Sequence, residues 1–264
     1  TEREHEIESF KPEEFWTLSV SFQDEKNQSI LASITQLDNE KIEKFSFRNK
    51  DEINKAVSRI NQKKFSITDI SSKVVNRNPS GPFTTSTLQQ TASSRLGFGA
   101  SRTMQIAQKL YQGVEIEGET IGLITYMRTD GTNLSKDAVA AFRDYIKKEI
   151  GNEYLPENVL NYSGKKAKNA QEAHEAIRPT DIVRTPQNVK KYLSTDQNKL
   201  YDLIWSRALS SQMQSAKFDR NTITITSDNN DTICKASGSV LKFDGFLKIY
   251  NNQSKDDDEN ILPS

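Results

Sequence analysis

The sequence has one cysteine, two histidines and no long apolar run in its 264 residues, and each scarcity closes a class of protein. Cys234 alone cannot form an internal disulfide, and with only His5 and His174 beside it no four-ligand structural zinc site can be assembled. That cysteine usage points to a reducing, intracellular compartment. No stretch approaches the roughly 20 consecutive apolar residues that a membrane span needs, so a membrane is not an expected partner. Neither sign of charge is in excess: 36 Lys and Arg balance 36 Asp and Glu. This excludes an overall basic mode of nucleic-acid binding and leaves only a local one. The opening Thr-Glu-Arg-Glu-His-Glu has no initiator Met, apolar signal or Arg-rich transit segment, so the chain reads as an excised internal piece with a cytoplasmic setting.

What is present is a polar, globular composition: 34% hydrophobic, 27% charged and a mean hydropathy of −0.73. At roughly 150 residues per domain, the length fits one large domain or two smaller ones. Residues 12 to 75 look mainly β. Trp16, Leu18, Val20 and Phe22 alternate with polar residues at the strand period, Asp24 to Asn27 is a turn, and Ser29 to Leu37, Lys44 to Phe47 and Phe65 to Ile70 are further strand candidates. Ile53, Val57 and Ile60 mark one short helix among them.

From about 82 to 212 the pattern is helical. Thr87 to Leu96 ends at Gly97; Ser101 is a candidate N-cap for Arg102 to Gln112; Ser135 caps a helix to Ile150 that stops at Gly151. Thr185-Pro186 starts another helix, and a last one runs from Asp196 to about Met213. Then Thr222 to Thr226, Thr232 to Ala236 and Phe243 to Tyr250 read as a hairpin plus one strand. The expected fold class is therefore α+β and multidomain: a discontinuous β-rich domain over 12–81 and 213–264, with an all-α domain over 82–212 inserted at Asn78-Pro79-Ser80-Gly81-Pro82. Lys255 to Glu259 is read as a solvated acidic tail, not a metal site.

Charge distribution says more than net charge. Between Asp69 and Glu115 there is no acidic residue, while Lys73, Arg77, Arg95, Arg102 and Lys109 lie among many Ser, Thr and Gln side chains. One reading is two amphipathic helices with a polar face. The other is a groove along a nucleic-acid backbone, with Arg95, Arg102, Gln89 and Thr87 as phosphate-contacting candidates. Gly97-Phe98-Gly99 is no dinucleotide loop, because Arg102 stands at the third glycine position and no strand precedes it. A phosphate-binding Gly-x-x-x-x-Gly-Lys-Ser/Thr loop is absent as well.

The chemical candidate is Ile121-Gly-Leu-Ile-Thr-Tyr-Met-Arg-Thr-Asp-Gly-Thr-Asn-Leu-Ser135. If Ile124 to Asp130 is extended, Tyr126, Arg128 and Asp130 share a face. A phenol needs help to act as a nucleophile, and Arg128 could clamp a phosphodiester for attack by Tyr126. The alternative is a buried Tyr beside an Arg128–Asp130 ion pair. A second constellation is Gln171-Glu-Ala-His-Glu-Ala-Ile-Arg-Pro-Thr-Asp181. On a helical turn His174 and Arg178 would share a face and grip one phosphate; otherwise this is a helix end stopped by Pro179.

Four stretches together resemble bacterial DNA topoisomerase I, a type IA topoisomerase. They are Pro82-Phe-Thr-Thr-Ser-Thr-Leu-Gln-Gln to Leu110-Tyr111, Leu123-Ile-Thr-Tyr-Met-Arg-Thr-Asp130, Glu172-Ala-His-Glu-Ala-Ile-Arg-Pro-Thr180 and Lys242-Phe-Asp-Gly-Phe246. They occur in the family's order across nearly the whole chain, and Met127 stands where topoisomerase III usually has Pro. The resemblance implies a toroidal enzyme that relaxes negatively supercoiled DNA, chiefly through its single strands, as a monomer in the bacterial nucleoid and without ATP. It implies Tyr126 as nucleophile forming a 5′-phosphotyrosyl link, Arg128 as the residue positioning the scissile phosphate, His174 as part of the active site, and Arg178 as a DNA-contacting neighbour. The all-α domain would carry Tyr126, the β-rich domain would be the arch and hinge, and residues 1–11 the end of a preceding DNA-gripping domain.

There are also departures. Gly131 stands where many relatives have Ser. The family's toprim domain, whose acidic residues hold Mg²⁺, has no counterpart in these residues, so no metal is expected here and the chain alone is expected not to cleave DNA. The competing class is a non-catalytic module that binds single-stranded DNA, in which Tyr126 is a stacking or core aromatic.

Overall fold

A computed structural model describes residues 1–23, 27–162 and 174–250 of the chain. In chain order its helices and strands are α1 (Glu2–Ser9), β1 (Ser19–Gln23), β2 (Ser29–Leu37), β3 (Glu40–Lys41), α2 (Lys50–Ile60), β4 (Phe65–Arg77), α3 (Thr85–Leu96), α4 (Ala100–Gln112), β5 (Val114–Ile116), β6 (Glu119–Ile121), α5 (Lys136–Tyr145), α6 (Pro186–Val189), α7 (Thr195–Ser210), β7 (Ala216–Ser227) and β8 (Ile233–Phe243). The fold is α+β. It divides into two compact units: one holds Thr1–Val75 and Phe218–Leu241, the other Asn76–Lys217 and the chain from Lys242 to Tyr250. Asp24 to Lys26 of the expected turn, Gln171 to Ala173 of the second constellation and the acidic stretch Lys255 to Glu259 lie outside the described residues.

The first unit is built on a sheet of order β1-β2-β8-β7-β4, with β3 paired to β2. β2 runs antiparallel to β1, β3 and β8, and a bulge between Ile34 and Gln36 shifts its register against β8. Alternation places Ala32, Ile34, Ile223, Ile225, Cys234 and Ala236 on the covered face, where they meet Ile53, Ala56 and Ile60 of α2. Each Ile buried this way contributes about 1.5–3 kcal/mol relative to exposure. Val57, expected on that face, is 37% exposed, and Ala56 instead is buried with Ile53 and Ile60. Asn49, not an apolar residue, starts α2: its side chain accepts the Glu52 N–H at 3.0 Å.

Two strand expectations fail. Lys44 to Phe47 is a turn, closed by Ser46 N–H to Glu43 O at 3.1 Å, with Phe47 buried as its anchor. Phe243 to Tyr250 is interrupted by a 3-10 turn at Gly245–Lys248, since Gly245 takes φ +50° and Phe246 and Tyr250, four residues apart, are both buried.

In the second unit α3, α4 and α7 pack on one another around Leu88, Ala92, Ile106, Leu110, Leu200 and Ile204. Gly97 ends α3 in the left-handed region, its N–H bonding back to Ala92 and Ser93 carbonyls. Ser101 is not the cap of α4; Gly99 is, and the Thr103 hydroxyl donates to its carbonyl at 3.0 Å. Ser135 does cap α5, whose end widens into a π-turn over Ile146–Ile150 before Gly151. The unit is not all-α. Val114 pairs with Ile121 and Ile116 with Glu119 in an antiparallel hairpin, because Glu117 and Gly118 both adopt positive φ and make the two-residue turn that flanking alternation favours.

Candidate active site

Tyr126 lies in a segment without regular structure, Gly122 to Leu134, between the hairpin and α5. Ile124 to Asp130 is not a strand, yet its residues alternate: Met127 and Thr129 are buried, Arg128 and Asp130 are exposed, and Tyr126 is half-buried. The alternation survives because the local backbone is anchored by threonines instead of by a strand ladder. The Thr85 hydroxyl donates to Met127 O at 2.8 Å and Thr129 O at 3.0 Å and accepts Thr129 N–H at 2.9 Å, while Thr85 N–H donates to Thr129 O at 2.8 Å. One side chain at the start of α3 thereby pairs backbone groups that a partner strand would otherwise satisfy.

The other side is fixed by residues 174 to 180. Thr125 N–H donates to Arg178 O, Thr125 hydroxyl to Ala176 O at 2.7 Å, and Arg178 N–H to the Thr125 hydroxyl at 3.0 Å. Thr180 N–H reaches Leu123 O, and bridges join Ile124 to Pro179 and Phe83 to Ile177. Buried Leu123, Ile124, Met127 and Ile177 pack beneath.

This lattice presents a row of three rings. Tyr126 stands edge-on to His174, centroids 5.2 Å apart, and to Tyr111, 5.4 Å apart. Tyr111 is 40% exposed. Among the described residues nothing hydrogen-bonds the Tyr126 hydroxyl, and Arg128 forms no ion pair with Asp130 or any other carboxylate. Positions 126 and 128 thus offer, two residues apart, a half-buried phenol and an exposed guanidinium that has no carboxylate partner among the described residues.

His174 and Arg178 do not share a helical turn. Residues 174 to 180 are non-helical because their backbone groups are spent on Thr125, Leu123, Phe83 and Asn133, distant in sequence. Arg178 instead forks onto Glu175, Nε to Oε1 at 2.6 Å and Nη2 to Oε2 at 2.9 Å, and donates to Pro179 O through Nη1. Burial alone would raise the Glu175 carboxyl, but the Arg178 guanidinium and the Ser135 N–H outweigh it and hold the group below the usual carboxylate range.

The remaining candidates have other partners. The Thr87 hydroxyl is engaged with Thr84 in the box that opens α3. Gln89 is half-buried one turn later, and Arg95, on the last turn, lies 4.5 Å over the Tyr250 ring. Arg102 pairs with Asp196 and stacks on Phe98 at 4.7 Å, so the acid-free stretch finds its counter-charge elsewhere in the chain. Tyr111, Thr85, Thr125 and Thr129 are the residues that sequence reasoning passed over. Tyr111 closes an amphipathic helix with no periodic mark of its own. The inward place of Thr129 follows from the same alternation that turns Arg128 outward.

Among the described residues no group of three His, Cys, Asp or Glu is arranged to hold a metal ion. No helix among them is long and apolar enough to cross a membrane.

Comparison with known proteins agrees with the motifs. The family model described as DNA topoisomerase matches residues 1–264. The chain is 48% identical over 258 residues to DNA topoisomerase 1 of Rickettsia typhi, covering 98% of this chain and 33% of that protein. It is 44% identical over 263 residues to that of Haemophilus influenzae, covering 100% of this chain and 28% of the relative. Full-length topoisomerase I from Thermotoga maritima superposes with a TM-score of 0.77 at 32% identity, over 100% of this chain and 40% of that one. The chain thus spans about a third of the length of the curated relatives it matches. On its motifs, its fold and these matches, the chain belongs to the bacterial DNA topoisomerase I family.

Proposed function

We propose that this chain is the nucleophile-bearing part of a type IA topoisomerase that relaxes negative supercoils by cutting one strand and passing another through the break. The observation that carries this reading is that Tyr126 and Arg128, two residues apart in a segment held by threonines on both sides, have no hydrogen-bond partner on the hydroxyl and no carboxylate partner on the guanidinium among the described residues. The Tyr126 oxygen attacks the scissile phosphorus, the bond to the 3′ oxygen breaks, and the phenolic proton leaves as that oxygen takes one up. The products are a 5′-phosphotyrosyl link and a 3′-hydroxyl. Arg128 neutralises the charge that grows on the non-bridging oxygens, and the contribution of such a donor is greatest in the transition state. Because one phosphodiester replaces another, the reverse attack reseals the strand without ATP.

His174, against the nucleophile's ring, belongs to the same site, while Arg95, Arg102, Gln89, Thr87 and Arg178 serve DNA binding. For Thr87, Arg102 and Arg178 this means giving up or sharing the bonds described above. The Mg²⁺ of the whole protein would be held outside this chain, which by itself would bind single-stranded DNA and not cut it. The domain scheme that goes with this reading is a β-rich arch interrupted by the Tyr126 domain, in a monomer working at the nucleoid.

The test is Tyr126→Phe in the full-length protein. Loss of strand cleavage with folding and DNA binding intact is the expected result. Retained cleavage would overturn the assignment and leave a single-strand binding module as the better description.

A further inference from the structure

The backbone of His174, whose ring stands against Tyr126, is held by the side chain of Thr129. Thr129 is 7% exposed, and its hydroxyl does two things: it donates to the His174 carbonyl at 2.9 Å and accepts the Gly131 N–H at 3.0 Å. Its own backbone is clamped to Thr85 through both N–H and C=O. Position 174 is therefore referenced, through one buried hydroxyl, to the peptide three residues beyond the nucleophile. The neighbouring Ala176 N–H to Asn133 O bond, at 2.9 Å, runs the same way and keeps the two segments side by side.

Gly131 shows how narrow that spacing is. A β-carbon there would stand 2.2 Å from the His174 carbonyl oxygen, well inside any contact that atoms tolerate. Gly131 does not have a positive φ, so the reason for glycine is not the backbone conformation but the approach of residue 174. The hydroxyl at 129 pulls the His174 segment in, and the missing side chain at 131 lets it come.

We infer that Thr129 is a positioning residue that sets His174 against Tyr126 through the His174 carbonyl. The inference rests on the reading of Tyr126 as nucleophile. A hydroxyl whose only task was to fill polar space in the interior would affect stability; one that sets the ring row affects cleavage at fixed DNA affinity.

The experiment uses the full-length enzyme with fluorotyrosine incorporated, the Tyr126 resonance being assigned by its loss in Tyr126→Phe. Thr129→Val keeps shape and removes the hydroxyl. It is expected to shift the Tyr126 resonance and to slow single-strand cleavage about 100-fold, the scale of an ångström-sized misplacement, while the Kd for the oligonucleotide stays within about twofold. Thr129→Ser keeps the hydroxyl and should restore both readouts. Thr129→Ala removes the hydroxyl with a smaller side chain and serves also if Thr129→Val does not fold; it should show the same loss at unchanged Kd. Cleavage at the wild-type rate in folded Thr129→Val or Thr129→Ala overturns the inference, as does failure of Thr129→Ser to restore it. A wild-type enzyme that forms its adduct on Tyr126 while these variants cleave normally leaves the nucleophile assignment standing. A wild-type enzyme with no Tyr126 adduct removes both.

Discussion

The imidazole of His174 stands edge-on to the phenol of Tyr126, ring centroids 5.2 Å apart and planes at 64°. The two residues are 48 positions apart, and what joins them is backbone pairing of the segments 122–134 and 174–180. Short threonine side chains make most of the connections. The site is in this sense a knot of two loops tied to the start of α3.

Arg128 is expected to matter more for chemistry than for binding. Arg128→Ala in the full-length protein should slow cleavage by about 10²–10³-fold, the usual loss for one donor aimed at developing phosphate charge. The Kd for a single-stranded oligonucleotide should change only a few-fold. Cleavage and gel-shift assays on the same oligonucleotide measure the two quantities, and equal losses would contradict a transition-state role.

Thr85 should prove a structural keystone. Thr85→Val leaves Met127 O and Thr129 N–H without that partner, which should cost about 1–3 kcal/mol. Thr85→Ser should cost much less. Urea melts followed by Trp205, buried in the same unit, report the difference. Equal stability of the Val variant and wild type would contradict the anchoring described.

How far the sequence announces this arrangement differs by element. Local signals are legible: Gly97 as a helix stop, Ser135 and Thr185 as caps, and the alternation that turns Arg128 away from Met127. They are properties of a few adjacent residues. The spacing of His174 and Arg178 misleads, because a helical period counts only when backbone bonds are local, and here they run to residues 50 positions away. Lys44 to Phe47 fails because four residues with two phenylalanines in alternation are too few to separate strand from turn. The threonine lattice has no period, so although Thr85 and Thr129 lie inside motif stretches, periodicity does not mark their hydroxyls as anchors of the site.

Acid should loosen the first unit through Asp231. The Lys63 ammonium, 2.6 Å away, is the main cause that takes its carboxyl down to about 2; burial opposes this, and the Thr232 and Ser227 hydroxyls add to it. A folded pKa below the unfolded value of about 3.9 gives stability that is complete above pH 4 or so and is lost as pH falls towards 2. Asp231→Asn should flatten that part of a stability-versus-pH curve taken by circular dichroism. An unchanged acid limb would show that Asp231 is not its source.

Binding of single-stranded DNA by this chain should be weak and sensitive to salt. Each phosphate contact contributes about −0.7 to the slope of log K against log salt concentration. Three or four contacts from exposed Arg128 and the basic side chains of α3 and α4 would give a slope of about −2 to −3. Fluorescence anisotropy across a salt titration reads it directly, and a flat line would mean that phosphates are not what the chain contacts.

Trapping the covalent intermediate in the full-length protein tests Tyr126 as the nucleophile without an intervening step. With Mg²⁺ and single-stranded oligonucleotides labelled at one end or the other, denaturation followed by peptide mass spectrometry locates the adduct and its polarity. A 5′-phosphate on Tyr126 and a free 3′-hydroxyl on the released strand are the expected products. An adduct on another residue, a 3′ linkage, or no adduct from an active preparation would contradict it.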